Sequence, residues 1–163
     1  MTDNKITISF EQANAKDLPF LTASSLALQE FESKDEDLPL SLNKNFEKEI
    51  YAWLSEEINN PSSLLFLINS ENRDIGFAFI KILSSPNSFT EYKSFGLIQS
   101  IWIEPEYRKK NIGKQVVALA EEIFKEQNIP YYEVNFTATN KTAEDFWKQC
   151  GLRVTSKTAR KFL

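Results

Sequence analysis

The sequence predicts a mixed α/β domain, with one central sheet flanked by about four helices. Three observations carry that prediction. Stretches of helical period alternate with stretches of strand period along the chain. Two apolar runs, 64–68 and 75–80, are separated by a polar turn, as in a hairpin. From Leu97 to Phe124 a strand, a basic turn and an amphipathic helix follow one another without a break.

Ile6, Ile8 and Phe10 alternate with Thr7 and Ser9, which predicts a short, half-buried first strand. Asp17-Leu18-Pro19 reads as a helix start, with aspartate as N-cap and proline in the first turn, where its missing N–H does no harm. Leu18, Leu21, Leu28 and Phe31 mark the buried side of that helix. An acidic link from Glu30 to Pro39 leads to a second helix, in which Phe46, Ile50, Trp53 and Leu54 recur at helical spacing. After Asn59-Asn60-Pro61 the period changes. Leu64 to Ile68 suits a buried strand, Glu71-Asn72-Arg73-Asp74 a turn, and Ile75 to Ile80 the returning strand.

A loop over 84–90, rich in Ser, Pro and Asn, precedes the central strand. There Ile101, Trp102 and Ile103 suit a pleated surface, and Pro105 ends the ladder because it has no N–H to donate. From Ile112 the apolar residues fall at Val116, Leu119, Ala120, Ile123 and Phe124, one buried helical face. Asn128-Ile129-Pro130 is a break, and Tyr132, Val134 and Phe136 then alternate with Glu133 and Asn135 as a further strand. Ala143, Phe146 and Cys150 share one face of a short helix that stops at Gly151. Leu152–Val154 and Ala159–Phe162 supply a closing hairpin, giving the order β-α-α-β-β-β-α-β-α-β-β.

Composition narrows the chemistry. The 163 residues make one domain, 1–163, long enough to bury roughly two-thirds of its unfolded surface. A single cysteine, Cys150, excludes an intrachain disulfide, and the lack of histidine excludes Ser-His-Asp and Cys-His catalysis and any familiar zinc constellation, so no metal is expected. A net charge of −4 argues against bulk nucleic-acid binding. No run approaches the ~20 apolar residues of a membrane span, and the opening Met1-Thr2-Asp3-Asn4-Lys5 lacks a signal-peptide core; a cytoplasmic protein is expected.

Against this acidic background the cluster Arg108, Lys109, Lys110 and Lys114 is local. It sits where a helix begins. The first N–H groups of a helix have no intrahelical partner and carry the positive end of its dipole, so an anion settles there readily. A glycine such as Gly113 lets backbone come close to a ligand. Taken alone, Arg108 to Lys110 also fit a solvated basic turn. The nucleotide-triphosphate P-loop fits worse, since Gln115 stands where Ser or Thr is required.

The run Ile103-Glu104-Pro105-Glu106-Tyr107-Arg108-Lys109-Lys110-Asn111-Ile112-Gly113 resembles the acetyl-CoA motif of the GNAT superfamily of N-acetyltransferases: Arg or Gln, two free positions, Gly, one free position, then Gly or Ala. Arg108, Ile112 and Gly113 match. Asn111 replaces the first glycine, and asparagine tolerates positive φ better than other side chains. A second stretch, Asn140 to Leu152, resembles the family's Asn, Ala, Phe-Tyr, Gly-Phe pattern through Asn140, Ala143, Phe146 and Gly151. The resemblance covers about 97–152.

The resemblance implies a GNAT fold, a mixed sheet of six or seven strands splayed between the fourth and fifth, with acetyl-CoA in the cleft. It also implies that an amine attacks the thioester directly in a ternary complex. Backbone groups of Ile101, Trp102 and Ile103 would pair with the pantetheine arm, and one N–H there would face the oxyanion. Arg108, Lys109, Lys110, Asn111, Ile112 and Gly113 would hold the pyrophosphate, with Lys109 or Lys114 near the ribose phosphate. Asn140 would reach the pantetheine amides, although an ordinary N-cap is an equal reading.

Trp147 stands where many members have a tyrosine that protonates the leaving thiolate. An indole cannot be that acid, so Trp147 packs against cofactor or core, and Tyr107, Tyr132 or water takes the role. Where members often carry a carboxylate on the central strand this chain has Leu97, Gln99 and Ser100, of which Gln99 and Ser100 would orient the amine or a water. The acidic link, with Glu30, Glu32, Asp35, Glu36 and Asp37, lies where this fold usually builds its acceptor site. It points to a cationic small molecule or a peptide amine, or else is a solvated loop. The competing reading is a non-catalytic acyl-CoA-binding module. Relatives occur as monomers or homodimers.

Overall fold

The computed structural model describes residues 6–34, 37 and 40–163. Its strands are β1 (Ser9–Gln12), β2 (Ser63–Ser70), β3 (Arg73–Ser84), β4 (Ser94–Ile103) and β5 (Tyr132–Val134), joined in that order in one sheet. Its helices are α1 (Leu18–Ser33), α2 (Phe46–Glu57), α3 (Ile112–Glu126) and α4 (Lys141–Gln149). Strands β1 to β4 are antiparallel neighbours, and β5 joins β4 in parallel. A parallel pair needs a long crossover, which α3 provides.

The core lies in two layers. Leu65 and Leu67 of β2, Phe77 and Phe79 of β3 and Trp102 of β4 pack against Leu18, Leu21 and Leu54 of α1 and α2. On the other face Ile68, Ala78, Ile80 and Ile98 meet the buried stripe of α3: Ile112, Val116, Val117, Ala120 and Phe124. Strands β2 and β3 turn at Glu71 and Asn72, both with positive φ (50° and 62°), the backbone twist a two-residue hairpin prefers. Arg73 and Asp74, expected in the turn, already belong to β3.

One irregularity matters for the site. Phe79 faces Ser100 but its neighbour Ile80 faces Ile98, so Gln99 is an extra residue, a bulge in β4. After the bulge Ile101 and Ile103 face the α3 layer while Trp102 faces α1.

Four local expectations are corrected. Asp17 makes no side-chain bond to α1; its Oδ2 accepts from Asn14 N–H at 2.9 Å, closing a box on the preceding short 3-10 turn. Phe31 is not on the buried side of α1 but 40% exposed at its end. The final strand stops at Val134, leaving Phe136 outside it. The closing hairpin does not form: residues 152–163 carry no strand, only Leu152 among them is partly buried, and five strands stand where six or seven were expected. Arg153, Lys157, Arg160 and Lys161 leave that segment too few apolar groups to cover a three-residue edge strand. Residues 1–5, and Asp35, Glu36, Leu38 and Pro39 of the acidic link, lie outside the described residues.

Candidate functional site

The site begins where β4 and β5 part. Their ladder pairs only Gly96, Leu97 and Ile98 with Tyr132, Glu133 and Val134, opened by Gly96 N–H to the Tyr131 carbonyl at 2.9 Å. Strand β4 continues to Ile103, so from the Gln99 bulge onward no strand pairs with its β5-side edge among the described residues. Unpaired N–H and C=O groups in a row are a template for an extended, amide-bearing partner. Ile101, Trp102 and Ile103 lie on this stretch.

Beyond Ile103 the chain makes a short 3-10 turn, Pro105–Tyr107, and reaches the basic segment. Lys109 (φ 59°) and Asn111 (φ 64°) both adopt the left-handed conformation. Asn111 thus does what the glycine of the motif does, and asparagine is the side chain best able to. It occupies the N-cap position of α3 without a side-chain cap bond, and the first turn of α3 has no acidic residue. The first amides of α3 are left to an external acceptor, with Lys109, Lys110 and Lys114 exposed beside them. Lys110 also lies over the Tyr107 ring at 5.2 Å.

Arg108 is placed differently from its lysine neighbours. Its Nε donates to the Ile103 carbonyl at 2.8 Å, and its guanidinium lies 4.6 Å from the Trp102 ring and 4.8 Å from the Phe31 ring. Gly113 has a packing duty: a Cβ there would lie 3.0 Å from the tip of Phe146, so the missing side chain admits α4 rather than a ligand. Its N–H remains part of the helix mouth.

Helix α4 closes this side. Asn140 Oδ1 accepts from Ala143 N–H at 2.9 Å, which is the ordinary N-cap bond. Trp147 is half-buried, edge-on to Phe146 at 4.9 Å, and packs into the α3-side core with Cys150 and Tyr132. Gly151 (φ 89°) ends the helix, with Gly151 N–H to Lys148 and Leu152 N–H to Trp147, as expected of a C-terminal glycine. Burial pushes the Cys150 thiol up, countered in part by Lys114.

For proton transfer the structure offers little on β4 itself. Gln99 is exposed at the bulge and Ser100 is half-buried opposite Phe79. Tyr132 donates its proton to Glu121 at 2.9 Å, and burial, then that carboxylate, hold its phenol well above the usual range. Sequence reading missed one buried carboxylate on the α1/α2 face, Glu57. It pairs with Lys81 at 2.8 Å and accepts from Ser63 and Asn60. Burial alone would push its carboxyl up, but the bonds from Lys81, Ser63 and Asn60 and the Lys81 charge bring it below the usual range. Lys81 faces Leu97 across the ladder, so this pair sits beside the strand that carries Gln99 and Ser100. No spacing announces a contact between residues 24 apart on a helix and a strand. Of the acidic link, Glu30 and Asp37 are exposed and Glu32 is half-buried at the end of α1. Among the described residues no group of three or more His, Cys, Asp or Glu could hold a metal ion, and no helix is long and apolar enough to cross a membrane.

Comparison with known proteins agrees with this geometry. No curated protein matches the chain at a significant level. Among solved structures, a predicted acetyltransferase from Clostridium acetobutylicum, determined with acetyl-CoA, superposes with a TM-score of 0.77 at 19% identity, covering 96% of both chains. The aminoglycoside N-acetyltransferase AAC(6')-Iy in complex with CoA gives 0.76 at 13% identity, over 100% of this chain and 99% of that one. The apo aminoglycoside 6'-N-acetyltransferase AAC(6')-IG from Acinetobacter haemolyticus gives 0.72 at 14%, over 95% and 97%. At such identities these likenesses establish the fold. The family model of the GNAT acetyltransferases matches residues 25–152, which include both the open strand edge and the two helix mouths, and on that match the chain belongs to the acetyltransferase (GNAT) family.

Proposed function

We propose that this protein is an N-acetyltransferase that moves an acetyl group from acetyl-CoA to a primary amine by direct attack. One observation carries the reading: the unpaired edge of β4 runs straight into a left-handed turn and an uncapped helix start ringed by lysines. An extended amide arm with a diphosphate at its end has the same order of parts. Backbone groups of Ile101 to Ile103 pair with the arm, apart from the Ile103 carbonyl that Arg108 Nε holds, and an N–H of that edge faces the thioester oxygen as charge develops there. The turn from Arg108 to Gly113 encloses the diphosphate, Lys109 and Lys114 add charge, and Asn140 and Trp147 close the side near the thiol.

The amine must arrive or become neutral before it attacks the carbonyl carbon. The tetrahedral intermediate then collapses with departure of the CoA thiolate, whose pKa of about 8.5 requires only modest help from water. Gln99 and Ser100 orient the amine or the water that takes its proton. A cationic acceptor is favoured by the carboxylates Glu30 and Glu32 at the end of α1 and Asp37 in the link beyond it, and by the aminoglycoside acetyltransferases among the structural neighbours.

Calorimetry with acetyl-CoA, followed by thiol release over a panel of polyamines, aminoglycosides and peptide amines, tests both halves. Binding with release confirms the transferase. Binding without release across the panel points to an acyl-CoA-sensing module, and no binding of any CoA thioester overturns the reading.

A further inference from the structure

We infer that Arg108 acts on cofactor binding from inside the protein, as a positioning residue that sets the phosphate turn, and not as a cation paired with the diphosphate. The inference rests on the proposed site. Three contacts define it. Arg108 Nε donates to the carbonyl of Ile103, the last residue of β4, at 2.8 Å. One contact of the guanidinium is the Trp102 ring, 4.6 Å away, and another is the Phe31 ring, 4.8 Å away. Those two rings meet edge to face at 6.4 Å.

A planar group directed into a strand carbonyl and held against two aromatic rings is not free to swing its fork toward an outside phosphate. Its bond instead closes a loop. The strand end at Ile103 is tied to the residue that opens the left-handed segment, across the 3-10 turn Pro105–Tyr107, while Arg108 N–H bonds the Pro105 carbonyl at 3.2 Å. Lys109 and Asn111, with φ of 59° and 64°, follow directly. A segment with two non-glycine residues in that conformation persists where its surroundings over-determine it, and the Arg108 bond is one such constraint. Phe31 extends the constraint to α1, beside Glu30 and Glu32 on the acceptor side. Ordering of the turn and placement of α1 are therefore linked through one side chain.

The two roles predict opposite rankings of variants. Glutamine offers an N–H donor without charge; lysine keeps the charge but lacks the planar fork. CoA affinity is measured by calorimetry at two salt concentrations for wild type, R108Q, R108K and F31A, and amide exchange over 109–113 is followed in the free proteins. R108K is expected to lose about tenfold or more, the scale of one charge-assisted hydrogen bond, and R108Q clearly less. F31A is expected to lose several-fold. The salt dependence stays as in wild type, and exchange at 109–113 speeds up most in R108K. Near-wild-type affinity in R108K, together with a larger loss and flatter salt dependence in R108Q, would make Arg108 a phosphate cation and overturn the inference. If wild type binds no CoA thioester, the transferase reading fails, and unchanged exchange in R108K would separately overturn the positioning role.

Discussion

Helices α2, α3 and α4 each begin at an asparagine, and the asparagines of α3 and α4 do opposite things. Asn140 caps α4 with its own side-chain oxygen, and Glu144 in the first turn is bracketed by Lys141 and Lys148. Asn111 stands left-handed at the mouth of α3 and caps nothing; the first turn behind it has no acid, and Lys114 sits on the end of the dipole that disfavours a cation. The α4 mouth is satisfied within the chain. The α3 mouth has no side-chain cap, and under the proposed function an anion from outside takes that place. The same residue type closes a helix start in one place and leaves it open in the other, and backbone conformation decides which.

The sharpest way to break this contrast is to give α3 an anion of its own. Asn111→Asp keeps a residue that tolerates the left-handed conformation and places a carboxylate where the diphosphate is to lie. CoA affinity in calorimetry should fall by about tenfold to a hundredfold without loss of thermal stability. Next in size, Asn140→Ala removes a working cap and should cost about 1 kcal/mol in urea unfolding, with Asn140→Asp restoring most of it. Lys114→Gln should show two opposite signs in one protein. CoA binding weakens by a few-fold, while the unfolding temperature rises slightly, because an unfavourable charge has left the helix start.

The smallest effect is in pH. Hydrogen bonds from Lys148, then Lys141, hold the Glu144 carboxyl below the ordinary range. A depressed folded value means that its contribution to α4 is present above the unfolded glutamate pKa of about 4.3 and is lost as pH falls through the folded value. Amide exchange should therefore loosen in the first turn of α4 on acidification below about pH 4, with no matching change at α3.

Much of this contrast was legible in the residues. The strand, the basic turn and the apolar stripe of α3 could be read because each is local: a β-branched run stopped by proline, then a clean helical period from Ile112 to Phe124. Asn111 could be assigned positive φ because few side chains accept it. What escaped were contacts between distant residues. Nothing in the spacing joins Phe31 to Arg108 or Glu57 to Lys81, and so the contacts of Arg108, expected in the turn that holds the pyrophosphate, with the Ile103 carbonyl and two aromatic rings could not be read. Gly113 was read as room for a ligand because α4 was still unplaced. The C-terminal hairpin failed for a different reason: Leu152–Val154 and Ala159–Phe162 carry few apolar groups among their cations, and β5 offers an edge of only three residues to receive them.

The single surplus residue at Gln99 acts as a phase shifter. Paired regularly onward from Ile98, with no bulge to absorb Gln99, the same residues would carry Trp102 over to the Val116 side and bring Ile101 beneath Phe31, exchanging an indole and a sec-butyl group between two layers that are each already filled. Length changes within 84–90 would leave that alternation untouched. The gene should accordingly accept added or lost codons within 84–90 and reject them within 100–103, while loss of the Gln99 codon alone would straighten the strand and leave both layers filled.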